Sequence, residues 1–137
     1  MAFVWSPELA TGNTLIDNQH KQLITAINAL FDSYRHGKGR QEVERTMEFL
    51  AGYTIKHLAD EEKLQEEYDY PAYLEHRQTH IDFKEMVRTL TAKMSQNGPT
   101  DEFISEVYVT ICDWLRNHIK GEDFKMAAYI QSKAQVT

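Results

Sequence analysis

The sequence has a single cysteine and no long apolar run, and both features exclude whole classes of protein. Cys112 cannot form a disulfide within the chain, so nothing requires an oxidising compartment, and we expect a buried, unreactive thiol. No apolar run approaches the about 20 residues of a membrane span. Residues 1–13 lack the basic and then apolar stretches of a signal peptide. We therefore expect a cytoplasmic protein without membrane insertion.

Basic residues are too few and too scattered to follow a phosphate backbone. Fifteen Lys and Arg against twenty-one Asp and Glu leave a formal net charge of -6, without a basic stripe. Nucleic acid is therefore not the expected partner. The 137 residues fit one domain covering 1–137, and 42% hydrophobic residues are typical of a globular protein.

Glycine and proline are scarce, with six and three residues, and they divide the chain into helical segments. Asp17 or Asn18 can cap the first helix, and Thr100 can cap the fourth. We expect Gly121 to interrupt the fourth helix before a short tail. The predicted helices cover about 17–35, 40–67, 71–95 and 100–121, and the tail runs to Lys133.

Each segment carries a narrow apolar stripe with alternating steps of three and four residues, as in helices packed nearly antiparallel. The stripes are His20, Leu23, Ile27, Leu30, Tyr34; Val43, Met47, Leu50, Thr54, His57, Glu61, Leu64; Tyr73, His76, His80, Phe83, Val87, Leu90, Met94; and Ile104, Val107, Ile111, Trp114, His118. Short connections and few strand signals predict an all-α, up-down-up-down antiparallel four-helix bundle with an N-terminal loop and short C-terminal helical tail.

Five of the six histidines lie on these stripes, where Leu or Ile would pack without needing a hydrogen-bond partner. One such histidine alone is more often a core residue satisfied by a neighbouring polar group. Here His57 and Glu61 are four residues apart, as are His76 and His80, so each pair shares a helix face. Burying so many imidazoles and a carboxylate is unfavourable without a cation, so the pattern predicts metal binding.

Asp123 follows His118 by five residues and would leave the stripe of a regular helix. A local bulge at Gly121 could turn it inward, although Glu122 is an equal candidate on spacing alone. Seven ligands exceed the needs of one ion, which favours two metals sharing carboxylates. Imidazole with carboxylate suits iron, while zinc and manganese stay open. The remaining acidic residues of this region predict a solvated face: Asp60, Glu62, Glu66, Glu67 and Asp69.

Over nearly its whole length the sequence resembles the hemerythrins, in particular the single-domain bacteriohemerythrins. The resemblance lies in Trp5, Ile16-Asp17-Asn18-Gln19-His20-Lys21, His57 through Glu62, Tyr70-Pro71, His76 through His80, and Trp114-Leu115 leading to His118 and Asp123. It implies a non-haem centre of two iron ions. One iron would be bound by His76, His80 and His118, and the other by His20 and His57, which leaves it an open position.

By the same resemblance, Glu61 and Asp123 would bridge the irons together with an oxo or hydroxo group from water. Dioxygen would bind reversibly in a pocket lined by Leu23, Leu58 and Leu115, without enzymatic turnover. This implies oxygen storage, delivery or supply to an oxygen-consuming protein partner. Peroxidase activity, nitric-oxide detoxification, oxygen sensing and iron buffering are the alternatives, and the oligomeric state is undetermined.

At several positions this chain differs from the sequence patterns of other di-iron proteins. No glutamate lies three residues before any of the five histidines, unlike the Glu-x-x-His pairs of ferritin-like di-iron proteins. The histidine-rich ligand set favours holding dioxygen over cleaving it. Leu58 stands where the resembled family more often has Phe, and Gln65 where methionine is frequent. Gln65 could hydrogen-bond near the site or face solvent, and His36 fits a helix C-terminus rather than the metal.

Overall fold

A computed structural model describes residues 3–136, and of residues 135 and 136 it describes the backbone only. Three long helices come first: α1 (Thr14–Arg35), α2 (Arg40–Glu67) and α3 (Tyr73–Asn97). A fourth rod, residues 101–136, joins α4 (Asp101–Val107), α5 (Asp113–His118) and α6 (Phe124–Val136) through π-helical turns at Tyr108–Cys112 and Ile119–Asp123. Consecutive helices pack on one another, which confirms the four-helix bundle.

The described residues contain no strand, and no described helix is long and apolar enough to cross a membrane. A short 3-10 helix, Pro7–Leu9, interrupts the N-terminal segment that was expected to be a loop. Leu9, the last residue of this turn, is buried in the main core cluster.

The first helix begins earlier than the sequence indicated. Its cap is Asn13, whose side chain accepts a hydrogen bond from the Ile16 amide at 3.1 Å, so the prediction of Asp17 or Asn18 was wrong. Asp17 lies in the first turn and instead accepts bonds from the Thr11 amide and hydroxyl, each at 2.8 Å. Its carboxylate thus ties down the preceding loop rather than capping the helix.

The other breaks fall close to their predicted places. α2 has the predicted bounds, whereas α3 starts at Tyr73 rather than near Pro71 and continues to Asn97. Gly98 then adopts a φ of 77°, a left-handed conformation that glycine adopts without strain and that ends the helix. Thr100 caps α4 as predicted, accepting a bond from the Phe103 amide at 3.0 Å.

Gly121 does not end the fourth rod, so the predicted break before a separate tail was wrong, but the local bulge expected at this glycine is confirmed. It lies inside the π-helical turn Ile119–Asp123, and the helix continues into α6. A π turn bonds residues five apart and absorbs one extra residue without ending the helix. The predicted tail therefore exists, but as a continuation of the same rod.

The stripes form the core in nearly every position. Most stripe residues are buried, whereas Tyr34, Leu64, Tyr73 and Trp114 are only partly buried at the edges of the bundle. A second cluster of Ile16, Tyr70, Met126, Ala127 and Ile130 fixes α6 at one end. Cys112 is fully buried, and burial raises the pKa of its thiol to about 12, as suits the unreactive thiol expected.

Candidate metal centre

The bundle brings all seven predicted ligands into one buried site. α1 supplies His20, α2 supplies His57 and Glu61, α3 supplies His76 and His80, and the fourth rod supplies His118 and Asp123. None of these side chains is more than 6% exposed. Their ligand atoms form two overlapping groups, within each of which all atoms lie within 4.8 Å of one another. The first group is Glu61, His76, His80, His118 and Asp123, and the second is His20, His57, Glu61 and Asp123.

Glu61 belongs to both groups because its two oxygens face in different directions. Oε1 lies 3.1 Å from His80 Nε2 and 3.6 Å from His76 Nε2. Oε2 lies 3.0 Å from His57 Nε2 and 3.4 Å from His20 Nε2. One carboxylate therefore serves two sets of imidazoles.

The two oxygens of Asp123 likewise face different sets of imidazoles, although Asp123 comes from the fourth rod and Glu61 from α2. Oδ1 lies 3.1 Å from His76 Nε2 and 3.2 Å from His118 Nε2, while Oδ2 lies 2.9 Å from His20 Nε2. The π turn makes this arrangement feasible, since its five-residue bonding pattern places Asp123 on the face of His118. Of the two open candidates, the structure places Asp123 in the site, with Glu122 only partly buried.

The inward atoms of this cluster lack hydrogen bonds despite their short separations. Among the described residues, the buried atoms without a hydrogen-bond partner include His20 Nε2, His80 Nε2 and all four carboxylate oxygens of Glu61 and Asp123. Buried polar atoms are normally paired, and leaving them unpaired costs about 1–3 kcal/mol each. Convergent imidazole nitrogens and carboxylate oxygens instead have the donor chemistry of a transition-metal site. The residues therefore fit an iron pair.

The electrostatics keep both carboxylates ionised. Burial raises the pKa of Glu61, but attraction to His57 and the close approach of the His20 and His80 imidazoles outweigh it and hold the pKa well below its usual range. Burial and the charge of Glu61 likewise oppose ionisation of Asp123, but His118 and His20 lower its pKa. Burial lowers the pKa of His20, whereas Asp123 and Glu61 together raise it to about 9. At neutral pH the metal-free site thus holds two carboxylates and a protonated His20, whose proton a bound metal ion would displace.

Outer hydrogen bonds set the orientation of two imidazoles. Gln19 Oε1 lies 2.7 Å from His57 Nδ1, and the Gln19 amide nitrogen donates to Asp60 Oδ2 at 2.8 Å. Glu62 Oε2 lies 3.0 Å from His80 Nδ1. An acceptor at Nδ1 holds the proton there and leaves the Nε2 lone pair directed inward.

These outer residues were missed by sequence reasoning, which assigned Asp60 and Glu62 to a solvated face. Glu62 is only 17% exposed, because α3 covers it from the side of His80. Gln19 carried a usable signal, since Ile16, Gln19 and Leu23 follow the same three-four spacing as the apolar stripe. A polar residue in that phase points inward.

An aromatic stack supports the ligand His118. Trp114 lies parallel to Phe83, with ring centroids 3.8 Å apart, and parallel to the His118 imidazole at 4.3 Å. His36 is exposed at the end of α1, apart from the cluster. The predicted oxygen-pocket residues Leu23, Leu58 and Leu115 are buried in the main core cluster.

Comparisons with known proteins agree with this geometry. The family model of the hemerythrin HHE cation binding domain matches residues 11–130. The chain is 32% identical to a bacteriohemerythrin of Pseudomonas paraeruginosa over 94% of this chain and 80% of that protein. It is 30% identical to a bacteriohemerythrin of Stenotrophomonas maltophilia over 94% and 82% of the two chains. A myohemerythrin of Sipunculus nudus is 28% identical over 90% of this chain and 89% of its own.

Removing a shared carboxylate should remove more metal than removing one histidine. Because Glu61 faces both groups, Glu61→Ala should reduce bound iron from two per chain towards none and lower the melting temperature of the iron-loaded protein. His118→Ala should mainly affect one ion. Elemental analysis with thermal unfolding provides the measurement. Glu48→Ala, on the exposed face of α2, and His36→Ala are matched controls that should keep both ions. Full iron content in Glu61→Ala would contradict the assignment.

Proposed function

The chain belongs to the hemerythrin family, and on that premise we propose that it binds dioxygen reversibly at a di-iron centre for oxygen storage or delivery. Oxygen supplied in this way could pass to an oxygen-consuming partner protein. Oxygen binding without enzymatic turnover is the function that this ligand set supports best.

The unequal histidine content of the two groups carries the proposal. One group combines three imidazoles with both carboxylates, whereas the other has only His20 and His57 beside the same carboxylates. A protein site that takes a small molecule keeps one position that side chains do not fill. The group containing His20 and His57 is therefore the side for dioxygen, and the other group is the more fully ligated one.

The residues around the site perform two tasks for such binding. A reduced iron pair supplies the two electrons that reversible binding of dioxygen requires. Glu61 and Asp123 would hold the pair as ionised, shared ligands, while the buried apolar side chains of Leu23, Leu58 and Leu115 would exclude water from the approach. Five neutral imidazoles beside two carboxylates limit the negative charge of the ligand set. This composition favours retaining the O–O bond.

Reversibility is the direct test of the proposed function. The protein loaded with ferrous iron without air should develop visible absorption on exposure to dioxygen, lose it under vacuum and regain it over repeated cycles. Absorption spectra with an oxygen electrode measure both colour and uptake. Glu61→Ala, which lacks the shared ligand, should show no cycle. Irreversible bleaching at the first exposure, or uptake far beyond one dioxygen per chain, would contradict reversible binding.

Leu115 offers a separate test of water exclusion. It is 3% exposed and lies one turn before His118, so Leu115→Ala should admit water and shorten the lifetime of the oxygenated protein about tenfold or more. Leu90→Ala is the control because Leu90 is equally buried but roughly 15 Å along α3 from His80, at 1.5 Å per residue. Both variants should lose stability by about 2–5 kcal/mol. Equal oxygenated lifetimes would refute the pocket role of Leu115.

A further inference from the structure

Gln65 is a buried polar residue that the proposed function does not use. It lies on α2 one turn beyond Glu61 and is 0% exposed, so it does not face solvent at the edge of the bundle. Its amide nitrogen is 3.1 Å from His76 Nδ1 and 2.9 Å from Met126 Sδ. Its amide oxygen is buried without a hydrogen-bond partner among the described residues. Such a group needs a physical reason.

His76 supplies that reason through its two ring nitrogens. Nε2 faces the centre, 3.1 Å from Asp123 Oδ1 and 3.0 Å from His118 Nε2. A neutral imidazole carries one proton, so giving the Nε2 lone pair to a metal places that proton on Nδ1. Nδ1–H then requires an acceptor, and the hydrogen-bonding group that the structure places against it is the amide of Gln65.

Only one of the two terminal atoms of that amide can meet this requirement. The amide nitrogen is a donor and would set hydrogen against hydrogen, whereas the oxygen is an acceptor. A half-turn of the amide about its terminal bond brings the oxygen to His76 Nδ1–H. The same turn gives up the contact of the amide nitrogen with Met126 Sδ and moves that nitrogen to the place where the oxygen had no partner. The flexible thioether of Met126 can adjust to either orientation.

We propose that Gln65 is a positioning residue for His76, whose Nδ1–H donates to the Gln65 amide oxygen when Nε2 binds iron. The inference rests on the proposed di-iron site. It extends to His76 the arrangement in which acceptor oxygens of Gln19 and Glu62 face His57 and His80. Each acceptor orients its ring and strengthens the imidazole as a ligand. A methionine at position 65 would pack in the same space, but its thioether is a much weaker acceptor than an amide oxygen.

Iron release tests the role with matched variants. Gln65→Met keeps the length of the side chain but removes the acceptor oxygen, whereas Gln65→Glu keeps an acceptor oxygen. Gln41→Met is the control, because it changes an exposed glutamine on the same helix. The rate at which a ferrous chelator removes iron should rise about 10–100-fold in Gln65→Met. It should remain within a few-fold of the wild-type rate in Gln65→Glu and Gln41→Met.

A spectroscopic readout separates hydrogen bonding from packing. In zinc-loaded protein labelled with ¹⁵N, His76 should show a proton on Nδ1 that exchanges slowly in the wild type and in Gln65→Glu but quickly in Gln65→Met. The wild-type spectrum alone decides the matter if a variant fails to fold, since a bare or rapidly exchanging Nδ1 would overturn the inference.

The outcomes distinguish this inference from the proposed function. Two bound irons with unchanged release from Gln65→Met would overturn the role of Gln65 and leave the di-iron site intact. Equally fast release from Gln65→Glu and Gln65→Met, both folded, would also overturn it, because packing alone would explain the loss. A wild-type protein that binds no metal at His76 would refute the di-iron site and the inference together.

Discussion

Glu61 and Asp123 each direct one oxygen towards the His76, His80 and His118 group and one towards the His20 and His57 group. This shared placement constrains the whole bundle, since the two carboxylates come from α2 and the fourth rod while the histidines come from all four helical rods. A shift of any helix would separate ligand atoms that now lie within 4.8 Å in each group. The helices, their short connections and the π turn before α6 together keep these ligand atoms close to one another.

Burying this much polar chemistry makes the fold and the metal mutually dependent. The two carboxylates are at most 1% exposed, and charges removed from water in this way are strongly unfavourable unless they are paired. Histidines supply part of the compensation, as the depressed pKa of Glu61 and the raised pKa of His20 indicate. Cations supply the rest, so metal affinity contributes directly to the stability of the folded state. The outer acceptors Gln19 and Glu62 then preserve the inward direction of the ring nitrogens.

Periodicity predicted the bundle and the burial of six of the seven residues of the cluster, because buried positions repeat every three or four residues whether they hold Leu or His. It could not decide Asp123, since a π turn breaks that period and its location depends on tertiary packing. The bulge expected at Gly121 was confirmed, but the π turn also keeps the helix continuous where a break was predicted. The first helix cap was predicted at the wrong residue because a carboxylate near a helix start, here Asp17, can accept hydrogen bonds from loop amides as well as from helix amides. The roles of Gln19 and Gln65 required knowing which helix lies opposite.

The proposed centre requires that two irons share two carboxylates. A crystal structure of the iron-loaded protein, with anomalous data at the iron edge, tests it most directly. We expect two iron peaks, one beside His76, His80 and His118 and the other beside His20 and His57, with Glu61 and Asp123 each binding both. A single peak, or a carboxylate bound to one ion only, would contradict it.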